Sequence, residues 1–155
     1  MMPQTHTHAD LIPHWLTSLA LLIVLITYNI VCHVWGNEIQ INLEESQRIL
    51  FRSILYGITI ILFPLVKLLR HILLRLNQTM PGDKPARQRY FFTVSITLVL
   101  IETVGSFGFL MFILGDGFNT LYIFSILAGL GIFLHMPKLP EYLAICQALS
   151  VKTSH

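Results

Sequence analysis

Apolar residues run along this chain in four long blocks separated by short polar stretches. The blocks cover about residues 15–35, 49–69, 90–114 and 118–136. A helix needs about 20 mostly apolar residues to cross the roughly 30 Å hydrocarbon core of a bilayer. Trp15 and Trp35 bracket the first block, and indole rings favour the headgroup boundary. The pattern predicts an all-α fold with four transmembrane helices, arranged as two hairpins in a single domain over 1–155.

Composition places the chain in a membrane rather than in water. Hydrophobic residues make up 54% of the chain and charged residues 12%, and the mean hydropathy is +0.69. Soluble domains carry about a quarter charged residues, so this chain cannot cover a globule with a hydrated surface. Membrane lipid is therefore an expected partner, and the net charge of +2 is too small to indicate nucleic acid.

The distribution of charge predicts an orientation. Six of the ten basic residues lie at the end of the second block or between it and the third block, whereas the loop between the first two blocks is acidic. Cytoplasmic loops of membrane proteins carry an excess of Lys and Arg. We therefore predict a multi-pass protein of a bacterial-type inner membrane with both termini in the cytoplasm. Residues 1–13 and 138–155 would be cytoplasmic tails.

The basic connection itself divides into two parts. Pro64 is expected to bend the second helix, and beyond it three basic residues lie among leucines. These residues are expected to lie near anionic lipid headgroups at the inner surface. They are Lys67, Arg70 and Arg75. Residues 77–89 contain two prolines and a glycine, which predicts a flexible cytoplasmic hinge between the hairpins.

Glu102 lies in the middle of the third apolar block. An ionised carboxylate at that depth costs at least about 2 kcal/mol, so Glu102 is expected to face protein rather than lipid. Small residues at helical spacing, which let a second helix approach closely, occur in the second, third and fourth blocks. These predicted packing positions are Ser53, Gly57, Gly105, Gly108, Ser125 and Gly129.

Neutral polar residues are the expected neighbours of Glu102. At comparable depth the other helices offer Asn29, Thr59 and Ser125, and no Lys or Arg. Without a nearby cation, burial favours the protonated acid over the carboxylate. Two interpretations follow. In the first, Glu102 exchanges a proton or binds a small cation. In the second, it is a hydrogen-bonding clasp between helices or to a partner subunit.

The run ETVGSFGFL, residues 102–110, resembles the ion-carrying helix of rotary ATPase proteolipids. In that family a carboxylate is followed by small and aliphatic positions and then by an aromatic–glycine pair. The resemblance implies that Glu102 carries the ion and that Gly105 and Gly108 are packing positions. It covers nine residues. The glycine-rich packing helix of proteolipids has no counterpart in this chain, and in their four-helix members the acid is placed differently within its hairpin.

Other chemistries find little support in the sequence. The chain has no nucleophile elbow, HExxH, P-loop or GxGxxG motif opening a helix, which predicts that it is not an enzyme. His14, His71 and His135 are expected near the cytoplasmic face on three helices, where two of them could ligate haem. Interfacial histidines are also common because their polar tips reach water. We predict no metal and no cofactor.

Three functions remain, in order of preference. The first is a non-enzymatic accessory or assembly component of a homo-oligomer or a larger membrane complex. The second is a subunit that translocates protons or small cations through Glu102. The third is a haem-binding membrane subunit.

Overall fold

Five α-helices make up most of the protein. The computed structural model describes residues 8–153, and no strand occurs within them. After one 3-10 turn at His8–Leu11, the helices are α1 (Ile12–Ile39), α2 (Glu45–Thr79), α3 (Ala86–Ile113), α4 (Phe118–Leu134) and α5 (Leu139–Thr153). The predicted all-α class is confirmed. Residues 1–7 and 154–155, at the ends of the two expected tails, lie outside the described residues.

Three of these helices are long and apolar enough to cross a membrane by themselves. They are α1 with its preceding turn, α2 and α3. The fourth helix has 17 residues and reaches the same length only together with α5, from which it is bent by 43°. Residues 8–153 therefore contain three helices of this kind, or four if the bent pair forms one span, as expected of a multi-pass membrane protein.

The bundle is organised around α3. Half of the apolar stretch of α3 is buried, compared with 17% for α1 and 11% for α2. Each of the other four helices packs on α3, and α1 also contacts α4 while α2 also contacts α5. The pair α1 and α2 is not among the well-packed pairs, although the two helices are consecutive. α1 and α2 are thus adjacent in sequence but do not form the closely packed hairpin that we predicted. α3 and α4 do pack against each other as a hairpin.

The connection between α2 and α3 is shorter and more ordered than the predicted hinge. The second helix continues through Pro64 to Thr79, which leaves only residues 80–85 outside helices. The Arg89 guanidinium, which has five N–H donors, bonds four backbone carbonyls around this turn. The carbonyls belong to Asn77, Met80, Gly82 and Lys84. One buried side chain therefore ties the turn together, and the flexibility expected of residues 77–89 stays a prediction.

The two predicted tails contribute to the core. Residues 139–153 form α5, whose Tyr142 and Ile145 are buried together with Tyr90 and Ile132 of α3 and α4. Leu11, in the predicted N-terminal tail, is only 1% exposed and belongs to the same cluster. The apolar residues of these two terminal segments are too few to span a bilayer, but they are sufficient to cover one end of the bundle. The prediction of tails at 138–155 and 1–13 was therefore wrong for these residues.

At the opposite end, the α1–α2 loop is joined to the turn between α3 and α4. The amide of Ile41 donates to the carbonyl of Ile113 at 2.6 Å, and Arg52 forms an ion pair with Asp116 at 3.2 Å. Gly115 has a φ of +94°, and a Cβ there would lie 2.9 Å from the Ile41 carbonyl oxygen. Only glycine fits this turn without strain.

Candidate functional site

Glu102 lies on α3 and is 7% exposed, with both carboxyl oxygens buried. Neither oxygen has a hydrogen-bond partner among the described residues. The carboxyl group is beside Gly105, where Leu25 of α1 and Ala128 of α4 approach α3 closely. The core around this level is made of aliphatic and aromatic side chains. A polar group with its hydrogen-bonding capacity unused is therefore enclosed in apolar surroundings.

The polar residues expected to hold Glu102 bond elsewhere. The Asn29 amide donates to the Ser125 hydroxyl at 2.9 Å and to the carbonyl of Leu25 at 2.9 Å. The Thr59 hydroxyl donates to the carbonyl of Leu55, one turn back in its own helix, at 2.8 Å. The structure thus brings Asn29 and Ser125 together, and their bond links α1 to α4. It does not bring either of them, or Thr59, into a hydrogen bond with Glu102.

The glycines that follow Glu102 lie at tight helix contacts. A Cβ at Gly105 would be 2.5 Å from Leu25 Cδ1, and a Cβ at Gly108 would be 2.8 Å from Phe124 Cβ. Gly129 is looser, because its Cβ would meet Leu25 Cδ2 at 3.7 Å. Gly131, which lies beside the Ser125–Gly129 pair in the sequence, is as tight as Gly105: its Cβ would be 2.5 Å from Ile101 Cγ2.

The predicted packing pair on α2 does not pack against any part of the chain that the structure describes. Ser53 is exposed, and a Cβ at Gly57 would have no neighbouring atom within 4 Å. These two small residues do share one face of α2, as their spacing predicted. However, α3 packs against a different face of α2, which carries Leu55, Thr59 and Val66. The Ser53–Gly57 face points outward.

A buried charged cluster, absent from the sequence predictions, joins α2 to the bend between α4 and α5. Arg70 is 6% exposed and forms an ion pair with Glu141 at 2.7 Å. Its guanidinium also donates to the carbonyls of His135 and Met136 at 2.8 and 3.3 Å, at the end of α4. Helix ends leave such carbonyls without partners inside the helix, and the planar guanidinium satisfies several at once.

The cluster extends to α3 through two hydroxyl groups. The Tyr90 hydroxyl donates to the same Glu141 oxygen at 2.9 Å and accepts a bond from the Lys138 amide at 2.7 Å. The Thr97 hydroxyl accepts from Arg70 at 3.2 Å. Arg70 therefore does not face lipid headgroups as predicted. Its acidic partner was missed because the residues beyond 138 were interpreted as a tail.

The histidines proposed as haem ligands lie in two separate places. His14 is buried against the rings of Tyr90 and Phe91, with ring centroids 5.1 and 5.3 Å apart. His71 and His135 line a different cavity, and Nδ1 of His135 donates to the Gly131 carbonyl at 2.9 Å. Within residues 8–153 no group of three or more His, Cys, Asp or Glu side chains is arranged to hold a metal ion.

The chain matches no protein-family model, no curated protein and no solved structure. The chemistry of the site is therefore inferred from its own contacts. Two features stand out: the unpaired carboxyl of Glu102 and the buried cluster around Arg70.

Proposed function

We propose that the protein crosses a bacterial-type inner membrane four times, with α1 to α4 as spans and both termini in the cytoplasm. The exposed apolar surface of α1 and α2 supports a lipid environment, with Ile60 72% and Ile61 67% exposed. The basic residues at the end of α2, in the turn after it and at the start of α3 support a cytoplasmic position for that end. In this arrangement α5 lies on the cytoplasmic side of the 43° bend and covers the end of the bundle.

Within this framework we infer that Glu102 binds and releases a proton. The observation that carries the proposal is a buried carboxyl group with no hydrogen bond to either oxygen. A structural clasp would use those oxygens, and a contact to a partner subunit would need them at the surface. An unpaired carboxylate at mid-membrane is costly, so the group is expected to be protonated and to ionise only when water or a partner reaches it. Binding and release of a proton at Glu102 require no enzymatic reaction.

A proton fits this site better than a metal cation. Hard cations require several oxygen ligands, whereas a proton needs only one carboxyl oxygen. Asn29, Ser125 and Thr59 form hydrogen bonds with other groups and none with Glu102. Glu102 is therefore a single-ligand site, and a protonated acid is the species that such a site accommodates.

A hydrophobic carbodiimide, which reacts with protonated carboxyl groups in apolar surroundings, tests this proposal. We expect mass spectrometry of the membrane-embedded protein to locate the adduct at Glu102. The labelling rate should fall as the pH is raised, because the ionised carboxylate does not react. The variant Glu102→Gln should lose the adduct, whereas Glu38→Gln, which changes an exposed acid, should retain it. The proposal would be overturned if the labelling rate did not change with pH, or if the adduct were spread evenly over the acidic residues.

The outward face of α2 supports a second element of the proposal, namely that the chain works as a subunit of an oligomer or of a larger membrane complex. Ser53 and Gly57 form a small-residue face that no part of the described chain covers. Such faces allow the backbone of another membrane helix to approach closely. This is the accessory or assembly role, and it is compatible with a proton site at Glu102.

The variant Gly57→Leu is expected to remove this association. Filling the small-residue face should prevent the close approach and leave monomers in native mass spectrometry after extraction in mild detergent. The matched control is Ile60→Leu, which alters an exposed apolar side chain of the same helix without filling a gap. Wild type and the control should give the same oligomer or complex. A monomeric wild type, or an unchanged assembly in Gly57→Leu, would contradict the proposal.

A further inference from the structure

A cavity of about 410 Å³ lies between α2 and the bend that joins α4 to α5. Most of its polar lining is basic. Lys67 and His71 contribute from α2, and His135 and Lys138 contribute from the bend. Arg70 and Glu141 line it as well.

The charges in this cavity do not balance. Glu141 is the one carboxylate in its lining, and it is already engaged by Arg70 at 2.7 Å and by the Tyr90 hydroxyl at 2.9 Å. Lys67 and Lys138 are exposed and have no ion pair among the described residues. Two ammonium groups, one on α2 and one in the bend, therefore line one cavity without a counter-charge from residues 8–153.

We propose that this cavity is a binding site for a phosphate group, which Lys67 and Lys138 contact from two different elements of the fold. Ammonium groups are common phosphate ligands, and the ring of His71 adds a polar group on the same side. Arg70 is held in place by its ion pair and by two backbone carbonyls, so Glu141 offsets its charge and the two lysines carry the excess positive charge. The phosphate group is carried by an anionic membrane lipid or is present as free phosphate.

The surroundings favour the lipid as the source. Leu134 lines the cavity and is 61% exposed, and Leu68 beside Lys67 is 54% exposed. Apolar side chains next to a basic cavity provide a surface for acyl chains while the headgroup occupies the polar space. This site differs from a general attraction of basic residues to the membrane surface. Arg75 is also exposed on α2 but does not line the cavity.

Binding can be measured on the full chain by native mass spectrometry, with titrations of phosphatidylglycerol, phosphatidylcholine and inorganic phosphate. We expect saturable binding of phosphatidylglycerol over phosphatidylcholine. Loss of two lysine contacts in Lys67→Gln/Lys138→Gln should weaken it about thirtyfold. The control Arg75→Gln/Lys84→Gln removes the same charge from exposed positions outside the cavity and should bind as wild type. Lys67→Arg/Lys138→Arg retains both charges and should bind nearly as well as wild type, which separates loss of the site from loss of the fold.

Each result decides the proposal. Saturable binding of inorganic phosphate that depends on the same two lysines would support the site and identify free phosphate as its source. Equal weakening in both double Gln variants would mean diffuse surface attraction and would overturn the proposal. Unchanged binding in Lys67→Gln/Lys138→Gln would overturn it too. None of these outcomes depends on the protonation of Glu102.

Discussion

Replacing Arg70 with leucine is expected to destabilise the folded protein by about 3–5 kcal/mol, as is typical when one partner of a buried ion pair is removed. The substitution would leave the carboxylate of Glu141 without its cation and the carbonyls of His135 and Met136 without a donor. Because these groups lie on α4 and α5, we expect α5 to detach from the bundle before the other helices unfold. Thermal or denaturant unfolding in detergent, followed by circular dichroism, measures the loss.

Arg75→Leu is the matched control for this prediction. Arg75 lies on the same helix but is exposed, so its replacement should change the free energy of unfolding by no more than about 0.5 kcal/mol. The double variant Arg70→Leu/Glu141→Leu should be less destabilised than Arg70→Leu alone, because removing both partners leaves no unpaired buried charge. If Arg70→Leu were as stable as Arg75→Leu, the cluster would not hold α5 to the bundle.

Gly108→Ala is expected to cost about 1–3 kcal/mol through overpacking between α3 and α4. The added Cβ would lie 2.8 Å from Phe124 Cβ and 3.1 Å from the Leu121 carbonyl oxygen. Neither atom is the end of a flexible side chain, so the two helices themselves must move apart. The same unfolding measurement in detergent detects the change.

The control for Gly108→Ala is the same substitution at Gly57, compared in detergent that keeps the chain monomeric, where the space around its Cβ position is open. There alanine should be neutral or should stabilise the helix by up to about 1 kcal/mol, since glycine is the poorer helix former. The comparison keeps the chemical change constant and alters only the surroundings. Equal effects at the two positions would show that α3 and α4 are not packed as described.

Gly108 lies on the helix that carries Glu102, and Arg70 donates a hydrogen bond to Thr97 of that helix. Because α3 is covered by the other four helices, we expect changes at Gly108 or around Arg70 to loosen the packing around Glu102. The carbodiimide reaction therefore offers a second measure of each variant. Loosening of the bundle should make the carboxyl group accessible to water and reduce the fraction that is protonated.

The sequence alone was sufficient to predict the helical class and the apolar stretches long enough to cross a bilayer. A span has to satisfy its own backbone hydrogen bonds and present apolar side chains over a fixed length, and both requirements are visible in composition. The sequence also placed Glu102 within such a stretch, and it identified Gly105 and Gly108 as close-packing positions, since small residues at helical spacing are a local pattern.

Only the tertiary structure decided which faces of the helices meet. Periodicity shows that residues share a face, but not which other helix covers it, so Ser53 and Gly57 looked equivalent to Gly105 and Gly108. The partners of Arg70 lie 27 to 71 residues away along the chain, and the Asn29–Ser125 bond spans 96 residues. Contacts at such separations depend on how the whole bundle packs. For that physical reason the pairing of Arg70 with Glu141 and the isolation of Glu102 were not predictable from the sequence.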